Sequence, residues 1–94
     1  MPFTLIRHKV NDYLQWKLVF VEHALARKST GSQGGLLFQN ANDPNEVFIL
    51  MEWDDLEKAR AFAGSDDLRD AMQRAGVAEK SDVYFLQKVE TPSW

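Results

Sequence analysis

EVFILMEW, residues 46–53, is the most strand-like segment of the chain. Its middle is apolar on both faces. Alternation sends Val47, Ile49 and Met51 to one side and Phe48 and Leu50 to the other. A strand of this kind is buried on both sides. In a chain of 94 residues, two helices can cover only one face of a small sheet. The other face then needs a partner, and the simplest partner is a second copy of the same surface.

The flanks extend the pattern. Upstream, Asn, Asp and Pro in residues 41–45 read as a turn, preceded by a short strand at 35–40 (GLLFQN). Downstream, Asp54 and Glu57 form a D-x-x-E capping box that opens a helix with Leu56, Ala59, Phe62 and Ala63 on its apolar face. Gly64-Ser65 interrupts this helix. Ser65, followed by Asp66 and Asp67, reads as a fresh N-cap, and Leu68, Ala71, Met72 and Ala75 continue the apolar face to Gly76. Residues 82–89 (DVYFLQKV) form the last strand, followed by a loose tail at 90–94.

At the other end, residues 3–10 (FTLIRHKV) form a strand with Thr4, Ile6, His8 and Val10 on one face. Residues 12–29 follow as one helix with two adjacent apolar stripes. Leu14, Leu18, Val21 and Leu25 make the first; Tyr13, Trp16, Phe20, His23 and Ala24 make the second. So wide an apolar arc predicts contact with the sheet and with something else. Gly31 ends the helix after the basic Arg27 and Lys28. The order β-α-β-β-α-β is the split βαβ, ferredoxin-like plan: an α+β fold with a four-stranded antiparallel sheet and two helices on one face. One domain spans residues 1–94, with an ordered core at 3–90.

Composition narrows the function. The chain has 11 basic and 14 acidic residues, a formal net charge of −3, which is the wrong sign for a nucleic-acid partner. Residues 1–30 are net basic and residues 41–70 strongly acidic, so these segments are expected to attract each other within or between subunits. The longest apolar run is residues 47–51, far short of a membrane span, and the N-terminal residues lack a signal-peptide pattern, so a cytoplasmic location is expected. Cysteine is absent, which removes disulfides, thiolate metal sites and cysteine nucleophiles. No paired carboxylates, G-x-S-x-G motif or Gly-rich phosphate loop is present. EVFILMEW carries no aromatic-basic stacking motif of an RNA-recognition domain. Arg7 is followed by His8-Lys9-Val10-Asn11-Asp12, without the glycines of an acylphosphatase phosphate loop.

The EVFILMEW strand, the Trp53-Asp54 junction, the Ala61-Phe62-x-x-Ser65 helix break and the Leu68 segment together resemble the antibiotic biosynthesis monooxygenase-like families of the dimeric α/β barrel superfamily. The resemblance covers roughly residues 3–90. It implies a homodimer joined through sheet faces and a small-molecule pocket in each subunit between sheet and helices. It also implies oxygenation of an aromatic or polyketide-like molecule without metal or flavin. Haem-degrading relatives have a Trp three residues before the serine of the break and a His seven after it; here these are Phe62 and Met72, which breaks that pattern. The Asn, Trp, Tyr and Arg that surround phenolic substrates in other relatives find no position-by-position match, and those roles are not carried over.

Two histidines are the residues that titrate near neutrality when unperturbed. His8 on the first strand and His23 on the first helix are therefore the candidate catalytic bases. Trp16, Phe20, Trp53, Phe62 and Tyr84 are the candidate walls of an aromatic substrate pocket. No carboxylate or second histidine at ligand spacing accompanies either histidine, so no metal is expected. The alternative to an enzyme is a non-catalytic homodimer that binds a small molecule or serves only as structure.

Overall fold

The computed structural model describes all residues, 1–94. Four strands form one antiparallel sheet in the order β2-β3-β1-β4: β1 (Pro2–Lys9), β2 (Ser32–Asn40), β3 (Asp43–Trp53) and β4 (Asp82–Gln87). Four helices pair off between them: α1 (Tyr13–Glu22) with α2 (Ala24–Ser29), and α3 (Leu56–Ala63) with α4 (Asp66–Arg74). This is the ferredoxin-like α+β plan. No helix is long and apolar enough to cross a membrane.

The register assigns every sheet side chain to a face. Ile6 pairs with Ile49 and His8 with Val47, and these residues, with Thr4, Met51 and Trp53, lie buried under the helices. The opposite face carries Leu5 beside Leu50 and Tyr84, and Leu36 beside Leu50. No helix covers it. Leu36 is 59 % exposed and Phe38 50 %, a contiguous apolar surface of the kind that soluble chains bury against a partner.

At one end of this face, polar pairs tie β1 and β2 to β3. Arg7 Nη2 lies 2.5 Å from Glu46 Oε2, Asn40 Nδ2 donates to Glu46 Oε1 at 2.6 Å, and Lys9 pairs with Asp43. Asn40 and Arg7 hold the Glu46 carboxyl below its usual range, and Lys9 does the same for Asp43. The expected attraction between the basic first third and the acidic segment is thus made within one subunit.

The helix expected over 12–29 is two helices, broken at His23 without Gly or Pro. Tertiary contacts accompany the break: the His23 ring reaches Asp67, and Arg27 Nη1, rather than a backbone N–H, donates to the Phe20 carbonyl at 2.7 Å. Of the two apolar stripes, only the one through Trp16, Phe20 and His23 faces the sheet. Leu14, Leu18, Val21 and Leu25 point outward, 58–76 % exposed. The cap of α3 is Asp55, which accepts from Glu57 N at 2.7 Å, while Asp54 instead receives Lys58 Nζ. The break at Gly64-Ser65 falls as expected, with Ser65 Oγ accepting from Leu68 N at 3.1 Å.

Strand β2 begins at Ser32, earlier than the expected 35, so Gly34-Gly35 lies inside it, where the pairing slips between Ser32 and Gly35. The bulge demands glycine: a Cβ at Gly35 would sit 1.9 Å from the Leu50 carbonyl oxygen. Strand β3 starts earlier than expected, at Asp43, and β4 stops at Gln87, leaving Val89 and Trp94 fully in solvent.

Candidate functional site

The covered face of the sheet and the four helices line a partly open apolar cavity. Its walls come from β1 (Ile6, His8), β3 (Ile49, Met51), α1 (Trp16, Val19, Phe20), the break and α2 (His23, Arg27), α3 (Phe62) and α4 with its cap (Leu68, Ala71, Met72, Ala75). Stacked aromatics build one side. Trp16 and Phe20 lie 4.9 Å apart at 21°, and the Arg27 guanidinium sits 3.7 Å above the Phe20 ring. On the far side, the His23 ring is 5.8 Å from Phe62.

The two histidines are held differently. His8 Nδ1 lies 2.6 Å from Ser81 Oγ, and the ring is 3 % exposed. Burial lowers its pKa from 6.5 to about 4, so His8 is neutral at pH 7. His23 Nε2 lies 2.7 Å from Asp67 Oδ2. A carboxylate only accepts, so Nε2 carries a proton and Nδ1 is left as the proton-accepting nitrogen of the neutral ring. Every fully buried side-chain N or O atom has a hydrogen-bond partner. His8 Nε2, His23 Nδ1 and Trp16 Nε1 have none in the protein, so each meets open space, and all three residues line the cavity.

The cavity is small. It offers about 40 Å³ to the centres of water-sized molecules, room for about three waters. A wider groove lies beyond it between α1 and β2, with about 240 Å³ by the same measure. Phe20, Arg27, Ile49 and Met51 belong to both, so the stacked Phe20–Arg27 pair forms the partition. No three His, Asp or Glu side chains converge as a metal site would require.

No protein-family model matches the chain, and no curated protein is significantly similar to it in sequence. Solved structures do match. A candidate antibiotic biosynthesis monooxygenase from Bordetella bronchiseptica superposes with a TM-score of 0.80 at 16 % identity, over 95 % of this chain and 97 % of that one. SnoaB, a cofactor-independent oxygenase from Streptomyces nogalater, gives 0.78 at 15 % identity, over 96 % and 94 %. A Deinococcus radiodurans candidate monooxygenase gives 0.76 at 14 % identity, over 100 % and 98 %. The chain has the antibiotic biosynthesis monooxygenase fold. At these identities the likeness is one of fold, and activity is a separate question.

Within the antibiotic biosynthesis monooxygenase fold, five of the seven residues singled out from sequence meet at one cavity: His8, His23, Trp16, Phe20 and Phe62. Two do not. Trp53 is fully buried behind Phe62, ring centroids 5.2 Å apart, and its Nε1 donates to Thr4 Oγ1 at 3.0 Å. It is core. Tyr84 pairs with Leu5 on the uncovered sheet face, 54 % exposed and on the wrong side of the sheet for the cavity. Arg27, Met51 and Met72 were not read as lining residues. Arg27 had a signal: the inward stripe Trp16, Phe20, His23 continues to it at spacings of 4, 3 and 4.

Proposed function

We propose that the chain is an oxygenase of the cofactor-independent kind, acting on a small aromatic or polyketide-like molecule held between sheet and helices. The observation that carries this is the convergence of two histidines, each with an unspent ring nitrogen, on an aromatic-walled cavity that is otherwise apolar. Such chemistry needs a base and a dry site. His23, its tautomer held by Asp67, takes a proton through Nδ1 from an acidic C–H of the substrate. The carbanion gives electrons to dioxygen and a C–O bond forms. Loss of water from the peroxide leaves a carbonyl, so a CH₂ plus O₂ becomes C=O plus H₂O. His8, held neutral by burial, is a weak base at pH 7 and orients the substrate by a hydrogen bond.

The reading requires the cavity to widen. The break at His23 and the Phe20–Arg27 partition are where α1 and α2 give way, joining the cavity to the outer groove. The bare apolar sheet face supports a homodimer with the sheets face to face. The test is oxygen uptake with a panel of phenolic aromatics bearing an acidic CH₂, in the presence of a chelator. Turnover by the wild type and its loss in the His23→Ala, His8→Ala double variant are expected. Equal uptake by that variant overturns the base assignment.

One observation favours a second reading. At about 40 Å³, the cavity is too small for a fused aromatic as it stands. A purely structural homodimer would show neither uptake nor binding with the same panel, and a non-catalytic binding protein would show binding without uptake.

A further inference from the structure

Arg27 is placed unlike the other arginines. Arg7 lies on Glu46 and Asp82, Arg69 on Asp66 and Arg74 on Glu22, while Arg60 is exposed. Arg27 is partly buried and has no carboxylate within ion-pair distance. Its one hydrogen bond goes from Nη1 to the Phe20 carbonyl at 2.7 Å. A guanidinium has five N–H donors, so capping the broken helix leaves four unspent.

The surroundings are selective. Arg27 borders the inner cavity, the groove against β2, and a third hollow formed with Lys28, Ser32 and Gln33. None of the three has an acidic side chain in its lining, although the chain holds 14 acidic residues. The guanidinium carbon lies 3.7 Å from the centre of the Phe20 ring, a cation–π contact that leaves the remaining N–H groups free to donate. Burial lowers its pKa, a desolvation cost that a bound anion would relieve.

We infer that Arg27 anchors an acidic group of the ligand, so that the site takes a planar aromatic carboxylate with its ring directed at the histidines. The carboxylate receives paired N–H donors from the guanidinium, at the partition between groove and cavity. Lys28, at the rim of the outer hollow, adds only a solvated charge. The inference rests on the pocket reading above and adds the charge class of its ligand.

The test compares 2-naphthoate with its neutral analogue 2-naphthamide, titrated at pH 7.5 and followed by tryptophan fluorescence. The wild type is expected to bind the acid at least tenfold more tightly than the amide. Arg27→Met, which keeps a long side chain over Phe20, is expected to bind both at the amide's Kd. Arg27→Lys is expected to recover part of the preference, and Lys28→Met to retain it. Thermal unfolding of each variant checks that it is folded. Equal binding of acid and amide by the wild type overturns the anchor and leaves the pocket standing. Preference retained in Arg27→Met does the same. Binding of neither compound overturns the pocket reading and the anchor with it.

Discussion

The His23 ring is joined to Asp67 by a 2.7 Å hydrogen bond that links the break between α1 and α2 to the first turn of α4. A fully helical 12–29 segment would lack this hinge. Asp67 is 65 % exposed, so removing it should change stability by no more than about 1 kcal/mol. The effect expected of Asp67→Ala is on the tautomer. In the wild type, ¹⁵N spectra should show Nε2 protonated and Nδ1 bare; in the variant, a mixture. An unchanged spectrum would mean that Asp67 does not set the tautomer.

The Trp53–Thr4 hydrogen bond joins two of the most completely buried side chains, across β3 and β1. Thr4→Val keeps the shape but strands the indole N–H in the core. A loss of about 1–3 kcal/mol in denaturant unfolding is expected, since a buried unsatisfied donor costs that much. A cost near zero would show that another acceptor replaces Thr4.

His8 makes stability depend on acid. Its pKa is about 4 folded against 6.5 for an exposed imidazole, so the unfolded chain binds the proton first. Stability should therefore fall as pH drops from about 6.5 to about 4 and then level off for this group, by roughly 3 kcal/mol in all. His8→Gln is expected to remove that part of the slope. Parallel pH profiles for variant and wild type would contradict the buried, neutral assignment.

The uncovered sheet face is expected to hold two copies together. Leu50 sits at its centre, between Leu36 and Leu5. Leu50→Lys places an ammonium there, which a single folded chain tolerates at a partly exposed position but a sheet-to-sheet contact does not. Light scattering should report a dimer for the wild type and 10.8 kDa for the variant. A wild-type monomer would remove the dimer from the account.

The order of strands was legible because each carries its own signal. EVFILMEW announces a two-sided strand, and Ser65 with Asp66 and Asp67 announces a new helix start. The break at His23 was not, because no Gly or Pro marks it and its partners, Asp67 and the Phe20 carbonyl, come from elsewhere in the fold. Tyr84 was assigned to the pocket by residue type alone. The antiparallel register of β4 against β1, which sets Tyr84 beside Leu5 and not His8, was needed to place it. Trp53 was misassigned for the same reason: an indole suits a pocket wall, and only the position of Thr4 reveals that its N–H is already satisfied.

The central claim, a small aromatic held between sheet and helices, has an internal reporter. Of the three methionines, Met51 and Met72 line the cavity, and Met1 is exposed at the chain's start. ¹³C-methyl NMR during titration with 2-naphthol reads all three at once. The account predicts ring-current shifts at Met51 and Met72, with Met1 unmoved. Silence at both cavity methyls at saturating naphthol would contradict it.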